Sequence, residues 1–250
     1  DKQGDIVSFA MELFGATSKL AAYEMILGCR ASPSFAATPK IKPTPKGPLV
    51  VPDKMPDNKR AIAYLIKTRG IEPEIVFDMI NQGRVYQGIE HRVNQATGEV
   101  RTYQGVCFAS LDKDGKICGG AMRAMSDKSS FRKDFDNNDK SFGFSMPGTS
   151  SCVFVYEAAI DAMSHASLLK MQGQDWRTDH RVCEGCLSDK ALQRYLEQHP
   201  NIEKIVWCFD NDMDGVDKDG KPHNHGQLAA EKYRERYSSV YDTAILTPVE

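Results

Sequence analysis

Two apolar stretches that end in acidic side chains constrain the fold of this chain more than any other feature. The first is IVWCFDNDMDG at residues 205–215, where Asp210, Asp212 and Asp214 follow an apolar run. Such a run predicts a buried parallel strand that carries carboxylates to its C-terminal end, the edge at which open α/β sheets bind ligands. Three alternating aspartates repel one another, so the pattern favours a hard divalent cation, Mg²⁺ above all. The alternative is an ordinary solvated turn, in which Asp, Asn and Gly are common.

The second stretch, Cys152–Tyr156, is β-branched and aromatic and ends at Glu157. Residues 158–171 then place apolar side chains at helical spacing, with Asp161 one helical turn after Glu157. The 52 positions between Glu157 and Asp210 are enough for a helix, a strand and a second helix. We therefore expect two strands of one parallel sheet to bring Glu157 close to Asp210 and Asp212.

A strand followed by Glu-x-x-x-Asp, and a later strand followed by Asp-x-Asp-x-x-Gly, resembles the toprim domain. This domain occurs in bacterial primases, topoisomerases, some nucleases and recombination proteins. The resemblance implies four catalytic acids: Glu157, Asp161, Asp210 and Asp212. It also implies that Glu157, Asp210, Asp212 and Asp214 hold Mg²⁺ or Mn²⁺. The chain departs from the family pattern at Ala158, where Gly is usual, and at the polar segment 216–225, which has the character of a loop insertion.

The preceding residues, 57–150, predict a smaller α+β lobe. Two helices are expected over residues 57–83, with Gly70 ending the first and Pro73 near the start of the second. Residues 85–93 and a hairpin with the turn DKDG at 112–115 supply short strands. This order of elements, followed by DKSFGFSMPG, resembles the domain that precedes toprim in primase-like proteins of plasmids and conjugative elements.

Two further segments complete the predicted organisation. Residues 1–30 have helical spacing and resemble the helices after the zinc ribbon of bacterial-type primases, although a simple packing hairpin fits as well. Residues 31–56 contain seven prolines, which predicts an extended Pro/Lys-rich linker. The predicted fold class is α/β, with a toprim-type parallel sheet flanked by helices at residues 151–250. The smaller α+β lobe and a helical N-terminal segment precede it.

Basic side chains of the lobe are candidates for binding nucleic-acid phosphates. They are Lys59, Arg60, Lys67, Arg69, Arg123 and Lys140. Lys67 and Arg69 end a predicted helix, where the helix dipole favours cations in any case. Phe142 and Phe144 could stack on bases, but core packing is the preferred interpretation.

Several other motifs have plain explanations. Cys183 and Cys186 form a CxxC without a second ligand pair, so zinc is not expected. His223 and His225 lie in the inserted segment and are expected to be exposed loop residues. His165 is interpreted as a packing or surface residue. Tyr156 alternates to the opposite side of its strand from Glu157, which argues against strand passage of the topoisomerase type.

Charge is unevenly distributed along the chain. Residues 152–250 carry 11 basic and 17 acidic side chains, a net charge of −6, and residues 1–151 carry +4. This asymmetry suits an enzyme that holds a polyanion against cations, or it is chance variation of a solvated surface. No apolar run approaches the roughly 18 residues of a membrane span, no secretory signal is present, and seven irregularly spaced Cys fit a reducing compartment. A cytoplasmic protein without a membrane partner is therefore predicted.

The acids and the resemblance together imply primase-like nucleotidyl transfer. The expected reaction is RNA-primer synthesis on single-stranded DNA from ribonucleoside triphosphates, in replication or conjugative transfer of a mobile element. A helicase, a relaxosome or other replication proteins are candidate partners. Two alternatives remain open: a metal-dependent nuclease on the same scaffold, and a non-catalytic nucleic-acid-binding subunit.

Overall fold

A computed structural model describes residues 47–94, 97–126, 129, 131–185, 188–216 and 223–248 of the protein. The predicted helical segment 1–30 and most of the predicted linker 31–56 lie outside these residues. The same holds for Cys186 and for residues 217–222 of the inserted segment. The described structure therefore comprises the lobe and the second half of the chain.

The first sheet is antiparallel, and its five strands pair in chain order. They are β1 (Asp53–Lys54), β2 (Val85–Val93), β3 (Val100–Leu111), β4 (Ile117–Arg123) and β5 (Arg132–Asp134). The predicted Asp-Gly turn joins β3 to β4. There the Asp112 carboxylate accepts hydrogen bonds from the N–H groups of Asp114 and Lys116, and Gly115 takes a φ of +77°. The predicted hairpin is thus confirmed.

Two helices follow β1 and precede β2. Helix α1 (Lys59–Ala63) continues into a π-helical turn at Tyr64–Thr68, and α2 spans Pro73–Asn81. Gly70 ends the first helical run with a φ of +68°, a conformation that a side chain would strain. Pro73 occupies the first turn of α2, where its missing N–H is not needed. Both helix predictions are therefore confirmed.

The second sheet is parallel except at one edge. Its strands are β6 (Ser145–Met146), β7 (Cys152–Tyr156), β8 (His180–Cys183), β9 (Lys204–Trp207) and β10 (Asp242–Ile245). Their order is β10-β9-β7-β8-β6, and β6 alone runs antiparallel to its neighbour, β8. Because β7 lies between β8 and β9, the two strands expected to deliver acids are direct neighbours.

Helices cover both faces of the second sheet. They are α3 (Ala159–Met171), α4 (Lys190–Gln198) and α5 (His225–Tyr237). On one face, apolar side chains of α4 and α5 such as Leu192 and Tyr233 pack against Val155 and Trp207. On the other face, Ile160 and Met163 of α3 are fully buried beside Tyr156. The predicted helix after Glu157 and the parallel sheet flanked by helices are confirmed.

One apolar core joins the two sheets. It contains Leu65, Ile75 and Phe108 of the lobe together with Tyr156 and Met163 of the second half. The lobe therefore packs directly on the face of the parallel sheet that carries α3. This placement sets the first sheet beside the C-terminal ends of β7 and β9. Over the described ranges, no helix is both long and apolar enough to cross a membrane.

Candidate active site

The acids predicted at two strand ends do meet at one edge of the parallel sheet. Glu157 directly follows β7, and Asp210 follows the neighbouring strand β9 after two more buried residues. The N–H of Asp210 donates a hydrogen bond to Oε1 of Glu157 at 3.1 Å. The Glu157 side chain therefore lies over the start of the Asp-Asn-Asp segment, as the sequence pattern predicts.

The first turn of α5 fixes the Asp-Asn-Asp segment in place. Asn224 caps this helix: its Oδ1 accepts from the Gln227 N–H at 3.2 Å and from the Asp212 N–H at 3.2 Å. The Gln227 amide donates to the carbonyl oxygens of Phe209 and Asp210 at 3.0 and 3.3 Å. Sequence reasoning missed these positioning residues, although the Asn at a helix start was a signal that could have found Asn224.

Gly226 allows the helix to approach the acids closely. A Cβ at this position would lie 2.2 Å from the carbonyl oxygen of Asp210 and 2.9 Å from Oε1 of Glu157. No side chain fits there without moving the backbone. The helix start, Glu157 and Asp210 are therefore in direct contact, and the space between them is fixed by a glycine that the sequence interpretation did not single out.

The acids disfavour one another's ionisation. Burial, followed by the charge of Asp210, raises the pKa of Glu157 to about 7 and that of Asp161 to about 6. Burial and the charge of Asp212 also raise the pKa of Asp210. No ion pair links Glu157, Asp161, Asp210 or Asp212 to a Lys or Arg within the described part of the chain. The cluster is thus an excess of negative charge without a contacting counter-charge.

This donor set fits a hard divalent cation by its chemistry. Carboxylate oxygens are the ligands that Mg²⁺ prefers, and mutually repelling carboxylates are what a bound cation would stabilise. In the side-chain positions of the described residues, no three His, Cys, Asp or Glu groups stand close enough together to ligate one ion. Glu157, Asp210 and Asp212 share the rim, while Asp214 is exposed further along the segment.

Basic side chains of the lobe face the acids across a cavity of about 350 Å³. Glu157 and Asp210 line one side, and Arg123, Arg132 and Lys140 line the other. Arg123 and Arg132 are direct register partners on β4 and β5, so two like charges stand opposite each other. The charge of Arg123 lowers the pKa of Asp161, and that of Arg132 lowers the pKa of Asp210, both against larger upward effects.

The other predicted basic residues lie in different surroundings. Arg69 is exposed at the end of the π-helical turn, close enough to Asp161 to lower the pKa of that carboxyl group against the upward effect of burial. Lys140 pairs with Asp134, and Lys59, fully outside the cavity, pairs with Asp57 at 3.2 Å. Arg60 donates to Oε1 of Gln104 at 2.9 Å, and Lys67 is exposed. Of the six predicted residues, Arg123 and Lys140 therefore line the cavity. Two basic residues of the lining were missed, Arg132 and Lys133, and Lys133 pairs with Glu90 and Asp136.

A third strand also ends in an acid. Glu184 follows β8, and its carboxylate accepts from the N–H groups of Ala191 and Leu192 at 3.2 and 2.9 Å, at the start of α4. Burial raises the pKa of Glu184 to about 8. This carboxyl group lines the cavity but is engaged with a helix terminus, so we assign it to the scaffold.

The remaining motifs occupy structural positions. Cys183 is a buried free thiol, while its CxxC partner Cys186 lies outside the described residues. His165 contacts the hydroxyl group of the buried Tyr156. Phe144 is a core residue, whereas Phe142 is partly exposed and stacked beneath the Arg194 guanidinium at 3.6 Å. His225 is the first residue of α5 and not the loop residue expected, and its ring lies 4.1 Å from that of the partly buried His223.

Comparison with known sequences agrees with the site. Residues 154–243 match the Toprim-like family, and residues 63–150 match the family described as protein of unknown function (DUF3991). The uncharacterized protein pXO2-78 of Bacillus anthracis is 27% identical over 167 residues. That alignment covers 62% of this chain and 44% of the relative, so the chain corresponds to less than half of the relative's length.

Similar solved structures are primase domains. A DNA primase domain from Pseudomonas aeruginosa is 19% identical, with 81% of this chain and 57% of that chain covered and a TM-score of 0.42. The DnaG catalytic core is 15% identical, with 78% and 67% covered and a TM-score of 0.49. The DnaG primase catalytic domain bound to ssDNA is 14% identical, with 78% and 68% covered and a TM-score of 0.47. With the acids at adjacent strand ends, the expectation of a toprim domain is confirmed: residues 154–243 match the Toprim-like family and follow a segment that matches DUF3991.

Proposed function

We propose that this chain carries a divalent-metal-dependent nucleotidyl transferase of the primase type, which synthesises RNA primers on single-stranded DNA. One observation carries the proposal. Glu157 and Asp210 meet at the ends of neighbouring parallel strands, and Arg123 and Arg132 face them across a cavity of about 350 Å³. A cavity with one acidic and one basic wall suits a reaction in which a metal cation, held by the acids, contacts a phosphate polyanion, held by the basic side chains.

The acidic wall has the groups to hold the cation. We assign Glu157, Asp210 and Asp212 as ligands of Mg²⁺ or Mn²⁺, with Asp161 and Asp214 as further acids of the site. When bound, the ion would neutralise negative charge on the transferred phosphoryl group and favour in-line displacement by a nucleotide 3′-hydroxyl group. Hydrogen bonds from the Asp210 N–H to Glu157 and from the Asp212 N–H to the Asn224 cap hold the backbone of the acidic segment in place before substrate arrives.

The basic wall has the groups to hold the substrate phosphates. Arg123 and Arg132 present two planar guanidinium groups from adjacent strands, and each can make bidentate contacts with phosphate oxygens. Two like charges in direct cross-strand register are unfavourable in the absence of an anion between them. We therefore assign this pair to the triphosphate of the incoming ribonucleotide, with Lys140 beside it and Arg69 next to Asp161.

Polar side chains lie beyond the buried Val106 on the face of the first sheet that carries Arg123. Arg123 pairs with Val106, and side chains of β3 at every second position, Gln104 and Thr102, share that face. Arg60 reaches the same face through its hydrogen bond to Gln104. We assign this face to the template strand, which leaves Lys59 and Lys67 as peripheral contacts at most.

The biological setting follows from the relative and the chemistry. The Bacillus anthracis relative bears a plasmid designation, pXO2-78, in its name. This supports a role in copying or transferring a mobile element, together with a helicase or other replication proteins. Primer synthesis takes place where DNA is replicated, so we assign the protein to the cytoplasm.

A primer-synthesis assay tests the proposal. The chain is incubated with single-stranded DNA, labelled ribonucleoside triphosphates and Mg²⁺ or Mn²⁺, and labelled oligoribonucleotides are expected. Asp210→Asn and Glu157→Gln should each reduce synthesis about a hundredfold or more, because each removes a charge from the transition-state site. Arg132→Gln should raise the KM for the nucleotide.

Arg101→Gln is the matched control for Arg132→Gln. Arg101 lies on β3 in register with Arg92, and its exposed side chain pairs with Glu99. Because it is adjacent to Thr102 in the strand, its side chain lies on the opposite face of the sheet. Arg101→Gln should therefore retain full synthesis. Metal-dependent shortening of the DNA without new RNA would replace the proposal by a nuclease. Retention of DNA that is unchanged in Asp210→Asn, without either product, would replace it by a binding subunit.

A further inference from the structure

A second cavity, of about 500 Å³, lies on the other side of the segment that walls the catalytic cavity. Phe142 and Gly143 line both cavities. The second cavity is also lined by the β3–β4 turn, by Ser145 and Pro147, and by one side of α4. None of the acids at the strand ends lines it. It is therefore a separate site, with its own chemistry.

Two arginines dominate this cavity, and within the described residues neither forms an ion pair with a carboxylate. Arg84 donates to Oε1 of Gln82 at 3.0 Å and to Oγ of Ser145 at 3.1 Å. Arg194 donates to Oγ of Ser141 at 2.7 Å, and its guanidinium group stacks on Phe142. Both cations are thus held in place by neutral groups, which orient them without neutralising their charge.

Part of this donor capacity is unused. The Nε of Arg194 is buried and has no hydrogen-bond partner in the described structure. Burial lowers the pKa of Arg84, which means that its surroundings penalise the positive charge. Buried charges are normally paired with a group of opposite charge, and among the described residues Arg84 and Arg194 have no such partner.

The other nitrogen groups of the lining have partners of their own. Lys113 lies 4.0 Å from the Asp114 carboxylate, and Nδ1 of His199 contacts the Tyr195 carbonyl oxygen at 2.9 Å. Asp112 is the carboxylate on the lining, and it is occupied by the N–H groups of its own turn. The other walls are apolar or aromatic and include Leu111, Val182 and Tyr195. The cavity therefore combines a fixed cationic side with an apolar side.

We propose that this cavity binds a phosphorylated small molecule of nucleotide size, with its phosphate groups on Arg84 and Arg194. Its volume lies within the roughly 300–1,000 Å³ of small-molecule sites, which suits a compact ligand better than a continuous strand. Phosphate oxygens match two guanidinium forks, and the apolar walls can cover a base or a sugar. The site is independent of the catalytic acids and goes beyond the proposed polymerisation.

The shared wall gives such a ligand a route to the catalytic cavity. Arg194 holds Ser141 and Phe142 from one side, and the same segment presents Lys140 and Phe142 to the other side. A phosphate group that takes the Arg194 donors would compete with Ser141 for them. We expect binding of the ligand to change the position of Lys140, so the ligand would act as an effector of the catalytic cavity.

Calorimetric titration with ATP in EDTA tests the proposal, because chelation suppresses metal-dependent binding at the catalytic acids. ATP should bind to the wild-type chain, and Arg194→Gln should weaken binding at least tenfold. Arg101→Gln, which removes an exposed arginine that lines neither cavity, should leave this binding unchanged. Lys113→Ala, at an exposed rim position that folding does not depend on, should weaken it two- to fivefold and covers the case in which Arg194→Gln fails to fold.

Three outcomes would overturn the proposal. One is the absence of binding of both ATP and inorganic phosphate. Another is binding that is lost in Arg132→Gln and kept in Arg194→Gln and Lys113→Ala, which would place the nucleotide in the catalytic cavity. The third is Arg194-dependent binding of an oligothymidylate without binding of ATP, which would make the cavity part of a nucleic-acid path. None of these readouts depends on primer synthesis, so the two proposals can fail separately.

Discussion

Glu157 sits where burial and like charge both oppose its ionisation, and this has a measurable effect on stability. Its pKa in the folded protein is about 7, above the ordinary value of 4.5. The unfolded chain therefore releases this proton first as the pH rises, so the free energy of unfolding falls between about pH 4.5 and 7. Below that range Glu157 is protonated in both states and does not lower the free energy of unfolding. Above that range the loss of free energy of unfolding is constant.

Replacing Glu157 by Gln should remove this cost. In EDTA at pH 8, Glu157→Gln should raise the free energy of unfolding by about 1 kcal/mol, allowing for the partial exposure of the group. At pH 5 most of the gain should vanish. Thermal denaturation at the two pH values measures this difference, with the exposed Glu99→Gln as a control that should show no gain. An equal gain at both pH values would mean that packing, not charge, causes the effect.

The same charge excess predicts that divalent cations stabilise the protein. At pH 8, Mg²⁺ or Mn²⁺ should raise the midpoint of thermal denaturation of the wild-type chain in a saturable manner, because the ion binds the folded state only. Asp210→Asn should lose most of this response. The shift should also shrink at pH 6, since protons compete for the same carboxylates. A shift of equal size in Asp210→Asn would locate the cation elsewhere.

At the scale of single elements, the contact between α5 and the acidic segment leaves no space for a side chain at Gly226. A Gly to Ala change in a helix normally stabilises by roughly 1 kcal/mol. Gly226→Ala should instead destabilise by about 1–3 kcal/mol, because the new Cβ overlaps the Asp210 carbonyl oxygen. It should also reduce primer synthesis, since Asp210 and Glu157 must move apart. Chemical denaturation measures the first effect, and a stabilised, active variant would contradict both.

Leu228→Ala is the control in the same helical turn. Its side chain is about half exposed, at 52%, so its loss should change the free energy of unfolding by less than about 0.5 kcal/mol. The comparison separates the close approach at Gly226 from the general sensitivity of the helix start.

Elements that local patterns specify were predictable from the sequence, and elements made by pairing were not. The run at Cys152–Tyr156 and the helix after it appear where the periodicity places them, and Gly70 and Pro73 mark helix ends as expected. Arg132 was missed because its role depends on the register of β5 against Arg123, which no local pattern encodes. Gly226 was missed because its close contact with Glu157 joins positions far apart in the chain.

At the scale of the whole molecule, the shared core predicts that the two sheets unfold together. Phe144 is buried at 5% exposure, lies between the sheets and makes an edge-to-face contact with Phe108, with centroids 5.9 Å apart. Phe144→Ala should cost about 3–5 kcal/mol and should lower the stability of both sheets in one transition. Phe77→Ala, at a half-exposed position, should cost much less. Two separate calorimetric transitions would show that the lobes are independent.

The segment that joins the lobe to the parallel sheet is itself fastened along β8. Ser145 and Met146 pair with Val182 and Arg181, the Cys183 N–H donates to the Phe144 carbonyl oxygen at 2.8 Å, and the Ser150 N–H donates to that of Thr178 at 2.9 Å. A movement of the lobe away from the parallel sheet would have to break these hydrogen bonds. These hydrogen bonds therefore hold the width of the gap between the acidic and basic walls. Under the proposed function, a nucleic acid would have to fit this width to reach the acids.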